Sequence, residues 1–201
     1  MKTSIALVLT LAASSALSQD VYNIDRSHTE VGFRVRHFVS KVAGRFDDFS
    51  GVITVVPGKP AESSVEFVIK TASINTANTG RDTHLKSADF FDVEKFPEIT
   101  FKSTKITPQD ADTFNVTGIF TMHGTAKEIT IPVDFGGTMK DRRGNEKAGF
   151  ALTTTINRKD YGIVWNQTLD SGGMVLGEDV EITVNIEANK RTPPADAPVA
   201  K

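Results

Sequence analysis

Apolar and polar residues alternate with a period of two along most of this chain. The stretch from Val31 to Val35 alternates in this way, and so does the stretch from Phe114 to Met122. A period of two indicates β-strands with one apolar and one polar face. About eight to ten such segments follow one another, joined mostly by short turns, which predicts an all-β sandwich or barrel.

One helix is predicted within this pattern. The segment Thr79-Gly-Arg-Asp82 has the form of a capping box, with Thr79 as the N-cap and Asp82 reaching back. Leu85 and Ala88 would then face the sheet. Apart from Pro132, the strands carry few of the residues that guard exposed sheet edges, and this favours closure into a barrel over a sandwich. A barrel of about eight strands has room for one small ligand.

The two ends of the chain lack the strand pattern. Lys2, an apolar stretch over residues 5–13 and Ala16-Leu-Ser18 predict a cleaved signal peptide over residues 1–18. The proline-rich residues 191–201 are predicted to be a disordered tail. One domain over residues 19–190 remains. Since an exported chain without cysteine must rely on its core, a periplasmic location is expected.

The composition favours binding of an apolar molecule over catalysis. The chain has 13 phenylalanines but only two tyrosines and one tryptophan. A phenylalanine face offers bulk without hydrogen bonds, so a closed lumen built from it would suit an apolar guest. The formal net charge of −2 gives no indication of nucleic acid or of an anionic membrane surface as a partner. Periodicity alone does not distinguish a packed core from a hollow one.

No pattern for metal binding or catalysis is present in the sequence. The four histidines, His28, His37, His84 and His123, have none of the short spacings of metal ligands, and cysteine is absent. We interpret them as hydrogen-bonded turn and rim residues. There is no Gly-x-Ser-x-Gly motif and no phosphate-binding loop. The prediction is therefore no metal, no cofactor and no catalytic residues.

Five blocks, in order along nearly the whole domain, resemble the YceI-like family of polyisoprenoid-binding periplasmic proteins. They are Tyr22-x-Ile-Asp-x-x-His28-Thr-x-Val-x-Phe33-x-Val-x-His37, then Asn75-Thr-x-Asn78-x-x-Arg81-Asp-x-His84-Leu-Lys-Ser-x-Asp-Phe90-Phe91 with its continuation to Ser103, then Gly118-x-Phe-Thr-Met-His123-Gly-x-x-Lys127, Arg158-x-Asp-Tyr161-Gly162 and Gly177-Glu-Asp-Val-x-Ile-x-Val-x-Ile-Glu187. Each block is weak alone, but the ordered set is specific.

The resemblance implies an extended, eight-stranded antiparallel, lipocalin-like barrel with a short helix after Asn78, often as a homodimer. Its tunnel would hold a long isoprenoid or a similar amphiphilic lipid, without stable membrane insertion. The candidate tunnel residues are the inward apolar ones: Phe33, Val35, Phe67, Ile69, Phe101, Phe120, Met122, Ile131, Phe150 and Ile156. Leu85, Phe90 and Phe91 are candidates for a lid, and His37, Asn78, Arg81 and Tyr161 for a polar mouth. Trp165 could belong to the lid or to the mouth.

Three hypotheses on function follow. The first is a periplasmic carrier or sequestering protein for a polyisoprenoid or an isoprenoid quinone. The second is a solid-cored module that acts through its surface or a dimer face, and it would lack an internal cavity. The third is an enzyme acting on a lipid or quinone, for which the sequence shows no catalytic set.

Overall fold

A computed structural model describes residues 19–168 and 174–191. The predicted signal peptide and residues 192–201 of the predicted tail lie outside these ranges. Within them the chain forms helix α1 (Thr79–Lys86), three short 3₁₀ helices (Pro60–Glu62, Thr71–Ser73 and Arg158–Tyr161) and eleven strands. The strands are β1 (Asp20–Ile24), β2 (Glu30–His37), β3 (Ser40–Phe46), β4 (Phe49–Val55), β5 (Ser64–Lys70), β6 (Ile74–Asn75), β7 (Glu98–Pro108), β8 (Thr113–Met122), β9 (Thr125–Lys140), β10 (Glu146–Asn157) and β11 (Leu176–Lys190).

The sheet closes into a barrel. Its strands follow the order β1-β4-β5-β7-β8-β9-β10-β11, and β11 pairs back onto β1, with Tyr22 opposite Lys190 and Ile24 opposite Ala188. Neighbouring strands are antiparallel all round this ring. The predicted eight-stranded antiparallel barrel is confirmed, and the sandwich alternative is wrong.

Strands β1 and β2 occupy one position in the barrel wall, like a single bent strand. Ile24 pairs with Ala188, and Glu30 pairs with Asn185 of the same strand β11. The chain between them is longer than the facing stretch of β11, so residues 25–29 leave the ladder as a bulge. Strands β3 and β4 share the next position, because β3 pairs with β2 while β4 pairs with β1.

The barrel wall divides beside β3, because β3 pairs with the short strand β6 and not with β5. Helix α1 follows β6 in the chain and lies at this division. The N-cap is Asn78, whose Oδ1 accepts a hydrogen bond from the Arg81 N–H at 3.0 Å, so the prediction of Thr79 was wrong by one residue. Asp82 does reach back, but its carboxylate accepts from the N–H and hydroxyl of Thr76. Ala88, predicted to face the sheet, is exposed.

The ends of the described chain join this frame. The N–H of Arg191 donates to the carbonyl of Val21, so the pairing continues one residue past the predicted domain boundary. Among the residues that the structure describes, no helix has both the length and the apolar character needed to span a bilayer.

Candidate functional site

A cavity of about 880 Å³ extends along the inside of the barrel. Its lining comes mainly from strands β2–β5 and β7–β11, and most of the lining side chains are apolar. It extends from Val56 and Phe114 at one end to His37 and Trp165 at the other. The barrel is hollow, so the alternative of a solid core is wrong.

The cavity extends along most of the barrel. Along β11, its lining runs from Leu176 to Ile186. At about 3.3 Å per residue and a strand tilt of about 35–45°, this stretch corresponds to about 25 Å along the barrel axis. Its volume lies in the upper part of the range of roughly 300–1,000 Å³ that is usual for small-molecule pockets.

Three phenylalanine rings lie against glycines of a neighbouring strand: Phe33 against Gly44, Phe67 against Gly51 and Phe101 against Gly118. At Gly44, for example, an added Cβ would stand 2.3 Å from Cζ of Phe33, its direct cross-strand partner. The absence of a side chain therefore lets the ring lie against the wall. This explains how a barrel rich in phenylalanine on its inner face keeps an open bore.

Polar lining side chains concentrate at one end of the cavity, which we call the mouth. It is formed by the tip of the β2–β3 hairpin (residues 38–39), helix α1 and residues 163–168. Its polar lining residues are His37, Arg81, His84, Arg158 and Gln167. An amphiphilic guest would find its polar partners here.

Arg158 is the most deeply buried charged residue in the described part of the chain, with 3% of its surface exposed. Its Nε donates to the carbonyl of Gly177 at 2.9 Å, and its Nη1 donates to those of Ile163 and Trp165, both at 2.8 Å. Burial lowers the pKa of the guanidinium, although the charge of Glu178 opposes this. Its Nη2 is buried and has no hydrogen-bond partner among the described residues.

Arg81 is held by contacts within its own segment, and the aromatic residues of the mouth pack against one another across two segments. The Nε of Arg81 donates to the hydroxyl of Thr76 at 2.7 Å, and its Nη2 donates to the Thr76 carbonyl at 2.8 Å. The ring of His84 lies edge-on to Phe90 and Trp165, with centroids at 5.0 and 4.8 Å. These residues all line the cavity, so helix α1 and Trp165 form one wall of the mouth.

The candidate residues fall on the cavity with two exceptions. Asn78 caps helix α1 and does not line the cavity. Tyr161 is 2% exposed, packs edge-on against Phe120 and does not line the cavity either. The residues that do line the cavity are Phe33, Val35, His37, Phe67, Ile69, Arg81, Leu85, Phe90, Phe91, Phe101, Phe120, Met122, Ile131, Phe150, Ile156 and Trp165.

Several cavity-lining residues lie outside the candidate set, notably Phe38, His84 and Arg158. His84 and Arg158 stand inside two of the sequence blocks quoted above, which is the signal that could have found them. Phe38 occupies a turn and continues no strand face, so the period of two gives no indication of its place.

One group of possible metal ligands forms outside the cavity, where His28, Asp25 and Glu187 come together. The ammonium of Lys147 makes ion pairs with both carboxylates. In this structure a lysine therefore supplies the positive charge that the carboxylates attract.

A closed antiparallel barrel around one long apolar cavity defines a lipocalin-like class of protein that encloses its ligand. The family model of the YceI-like domain matches residues 22–188. The chain belongs to the YceI-like family.

Relatives and solved structures agree with this assignment. A UPF0312 protein of Pseudomonas putida strain GB-1 is 41% identical over 179 residues, which cover 84% of this chain and 93% of the relative. The crystal structure of the YCEI protein of Campylobacter jejuni matches with a TM-score of 0.66 and 36% identity, over 84% of this chain and 96% of that one. A polyisoprenoid binding domain from Saccharophagus degradans has the same fold, with a TM-score of 0.63 and 14% identity, over 85% of this chain and 98% of that one.

Proposed function

We propose that this protein binds a long-chain amphiphilic lipid, a polyisoprenoid or an isoprenoid quinone, in the barrel and carries or sequesters it. The observation behind this proposal is the continuous apolar cavity of about 880 Å³. The neighbour from Saccharophagus degradans is described as a polyisoprenoid binding domain, which supports the same class of guest.

Elementary energetics favours a long guest over a short one. Burial of one methylene group contributes about 0.8 kcal/mol, so a five-carbon isoprene unit contributes roughly 4 kcal/mol at most. The loss of translational and rotational freedom on association costs about 4–15 kcal/mol. One unit would bind poorly, whereas several units in a bore about 25 Å long exceed this cost.

The distribution of polar groups sets the direction of the guest. Its polar end would lie at the mouth, near His37, Arg81 and Arg158, and its chain would extend toward Phe114 at the other end. An oxygen of the polar end would supply the acceptor that Nη2 of Arg158 lacks among the described residues.

Family membership favours a binding protein over an enzyme. Ser103, a serine on β7, has a structural contact, since its hydroxyl accepts a hydrogen bond from the N–H of Val65 in the neighbouring strand. We propose a role without catalysis and without a cofactor besides the lipid. A periplasmic location and a homodimer complete the proposal, and they depend on the sequence and the resemblance.

Leu152→Trp tests whether the cavity holds the lipid. Leu152 lines the cavity and is only partly buried, so the larger side chain of tryptophan would extend into the bore. Native mass spectrometry of the wild-type protein should show a co-purified lipid, and uptake of added prenyl lipid by Leu152→Trp should fall several-fold. The matched control is Thr153→Trp, which places the same ring on the outer face of the same strand.

Two results would contradict the proposal. One is a wild-type protein that purifies empty and takes up no prenyl lipid. The other is equal uptake by Leu152→Trp and Thr153→Trp, with circular dichroism showing that both are folded.

A further inference from the structure

Exposed apolar residues gather around the mouth. Among the described residues, six large apolar side chains are exposed, and four of them lie here: Phe38, Val39, Val164 and Met174. Hydrogen bonds join the segments that carry them. The N–H of Phe38 donates to the carbonyl of Val175 at 2.9 Å, and the N–H of Val175 donates to that of Gln167 at 3.0 Å. These bonds hold the segments side by side at the mouth, and we call the four exposed residues the apolar rim.

The hairpin tip carries two of these residues, and one of them, Phe38, adopts a backbone conformation that glycine would adopt more easily. His37 pairs with Ser40, so Phe38 and Val39 alone make the turn. Phe38 has a φ of 51°, in the left-handed region where such turns favour glycine or asparagine. Phe38 is also 45% exposed, and Val39 is fully exposed. A tip selected only for folding would have neither feature, and local departures of this kind point to function.

The rim is continuous with the bore. Phe38 is exposed to solvent and lines the cavity at the same time, and its ring packs edge-on against His37 with centroids 4.6 Å apart. A lipid that leaves the bore at this end would pass directly over the Phe38 ring.

The hairpin is also basic, although the whole chain is slightly acidic. Arg34, Arg36 and Lys41 lie exposed on its outer face. The facing strand β11 supplies Glu181, which is the cross-strand partner of Arg34 and makes an ion pair with Lys41. Glu178 and Asp179 lie exposed nearer the start of that strand, and Glu178 makes an ion pair with Lys159. The hairpin itself carries no acidic residue over positions 34–41, so basic side chains beside an apolar tip match the anionic head groups that lie above the acyl chains of a leaflet.

We propose that the mouth docks reversibly on a lipid bilayer, with Phe38 and Val39 inserted at the surface of one leaflet. This inference rests on the proposed function, because a guest that moves between leaflet and bore through such a contact exposes little of its chain to water. The four exposed residues of the rim are also far fewer than in a stable protein interface, which involves about 20–30 residues on each partner.

Val39→Ser/Val164→Ser tests the docking on its own, because neither residue lines the cavity. Both side chains are exposed, so the fold should be unaffected. Affinity for vesicles of phosphatidylcholine and phosphatidylglycerol, measured by flotation, should fall about tenfold or more, and native mass spectrometry should still detect the bound lipid. The matched control is Met139→Ser, which removes an apolar side chain that is 72% exposed on β9, away from the mouth.

The outcomes separate this inference from the proposed function. Docking is overturned if the wild-type protein does not float with vesicles, or if the double variant floats equally well. It is also overturned if sedimentation velocity shows that the double variant converts a dimer to a monomer, because the rim would then be a subunit interface. A wild-type protein that floats but takes up no prenyl lipid would instead refute the proposed use of the cavity.

Discussion

At the scale of single residues, Arg158 binds three backbone carbonyls from two segments at the mouth. Its guanidinium reaches the carbonyls of Ile163, Trp165 and Gly177, so it fixes the strap of residues 163–168 against the start of β11. Arginine suits this position because its planar fork places several N–H groups in fixed directions. Lysine has one ammonium and does not reproduce that geometry.

Arg158→Lys is therefore expected to destabilise the fold by about 1–3 kcal/mol, because buried carbonyls lose their donors. Urea unfolding measures the loss, and amide hydrogen exchange should show faster exchange in residues 163–168. Arg34→Lys, at an exposed position on β2, is the control. It should change neither the free energy of unfolding nor the exchange rates of residues 163–168. Unchanged exchange in the strap of Arg158→Lys would contradict the role assigned to Arg158.

At the scale of the elements, the alternation of residues predicts which side chains face inward, but not which strands pair. It places Gly44, Gly51 and Gly118 on inner faces, and the structure agrees. It does not show that Phe33 lies over Gly44, since that depends on the pairing of β2 with β3. The N-cap was misplaced for a related reason. Asn78 and Thr79 are both good caps, and the choice depends on where the chain leaves β6.

Gly118 is the glycine at which contact with the backbone is closest. An added Cβ would stand 2.5 Å from the carbonyl oxygen of Lys102 and 2.8 Å from Cα of Ser103, both on β7. Since backbone atoms cannot turn aside like a side chain, Gly118→Ala should force β7 and β8 apart. We expect a loss of about 1–3 kcal/mol, or a melting temperature lower by about 2–4 °C for each kcal/mol.

Gly149→Ala provides the matched control, because an added Cβ there would meet its nearest atom at 3.9 Å, an ordinary contact. Thermal unfolding followed by circular dichroism compares the two variants. Equal melting temperatures would show that β7 and β8 have room that the structure does not indicate.

At the scale of the whole molecule, the barrel is closed by the short pairing of β1 with β11. Polar contacts beside this pairing gather around Asp25. Its carboxylate accepts from Asn189 and Lys147, at 3.2 and 3.4 Å, and contacts His28 at 3.1 Å. Burial raises the pKa of Asp25, but the hydrogen bonds from His28, Asn189 and Lys147 outweigh it and lower the pKa to about 2.

Closure of the barrel should therefore depend on pH. The pKa of Asp25 in the unfolded chain is about 3.9, so its ionised form stabilises the folded state fully above that pH. This contribution is lost as the pH falls through about 2. The free energy of unfolding by urea should decline between about pH 4 and pH 2, and the decline should be smaller in Asp25→Asn. Parallel curves for the two proteins would contradict this assignment.

The family blocks predicted the overall architecture, including closure and the number of strands, because they span nearly the whole domain. The hollow interior did not follow from the pattern, since packed and open cores give the same alternation. The exposed rim was also beyond prediction from the pattern, because Phe38 and Val164 lie outside the strand faces.

The seating of aromatic rings on glycines has a consequence for how such barrels diversify. At Gly44, the three nearest neighbours of an added methyl group are side-chain atoms of Phe33 and Thr76. Replacement of Gly44 by alanine would push the Phe33 ring toward the barrel axis and reduce the diameter of the cavity, and the pairing of the strands would not change. Substitutions at such glycines would therefore adjust the diameter of the cavity to the width of the ligand, while the barrel itself stays the same.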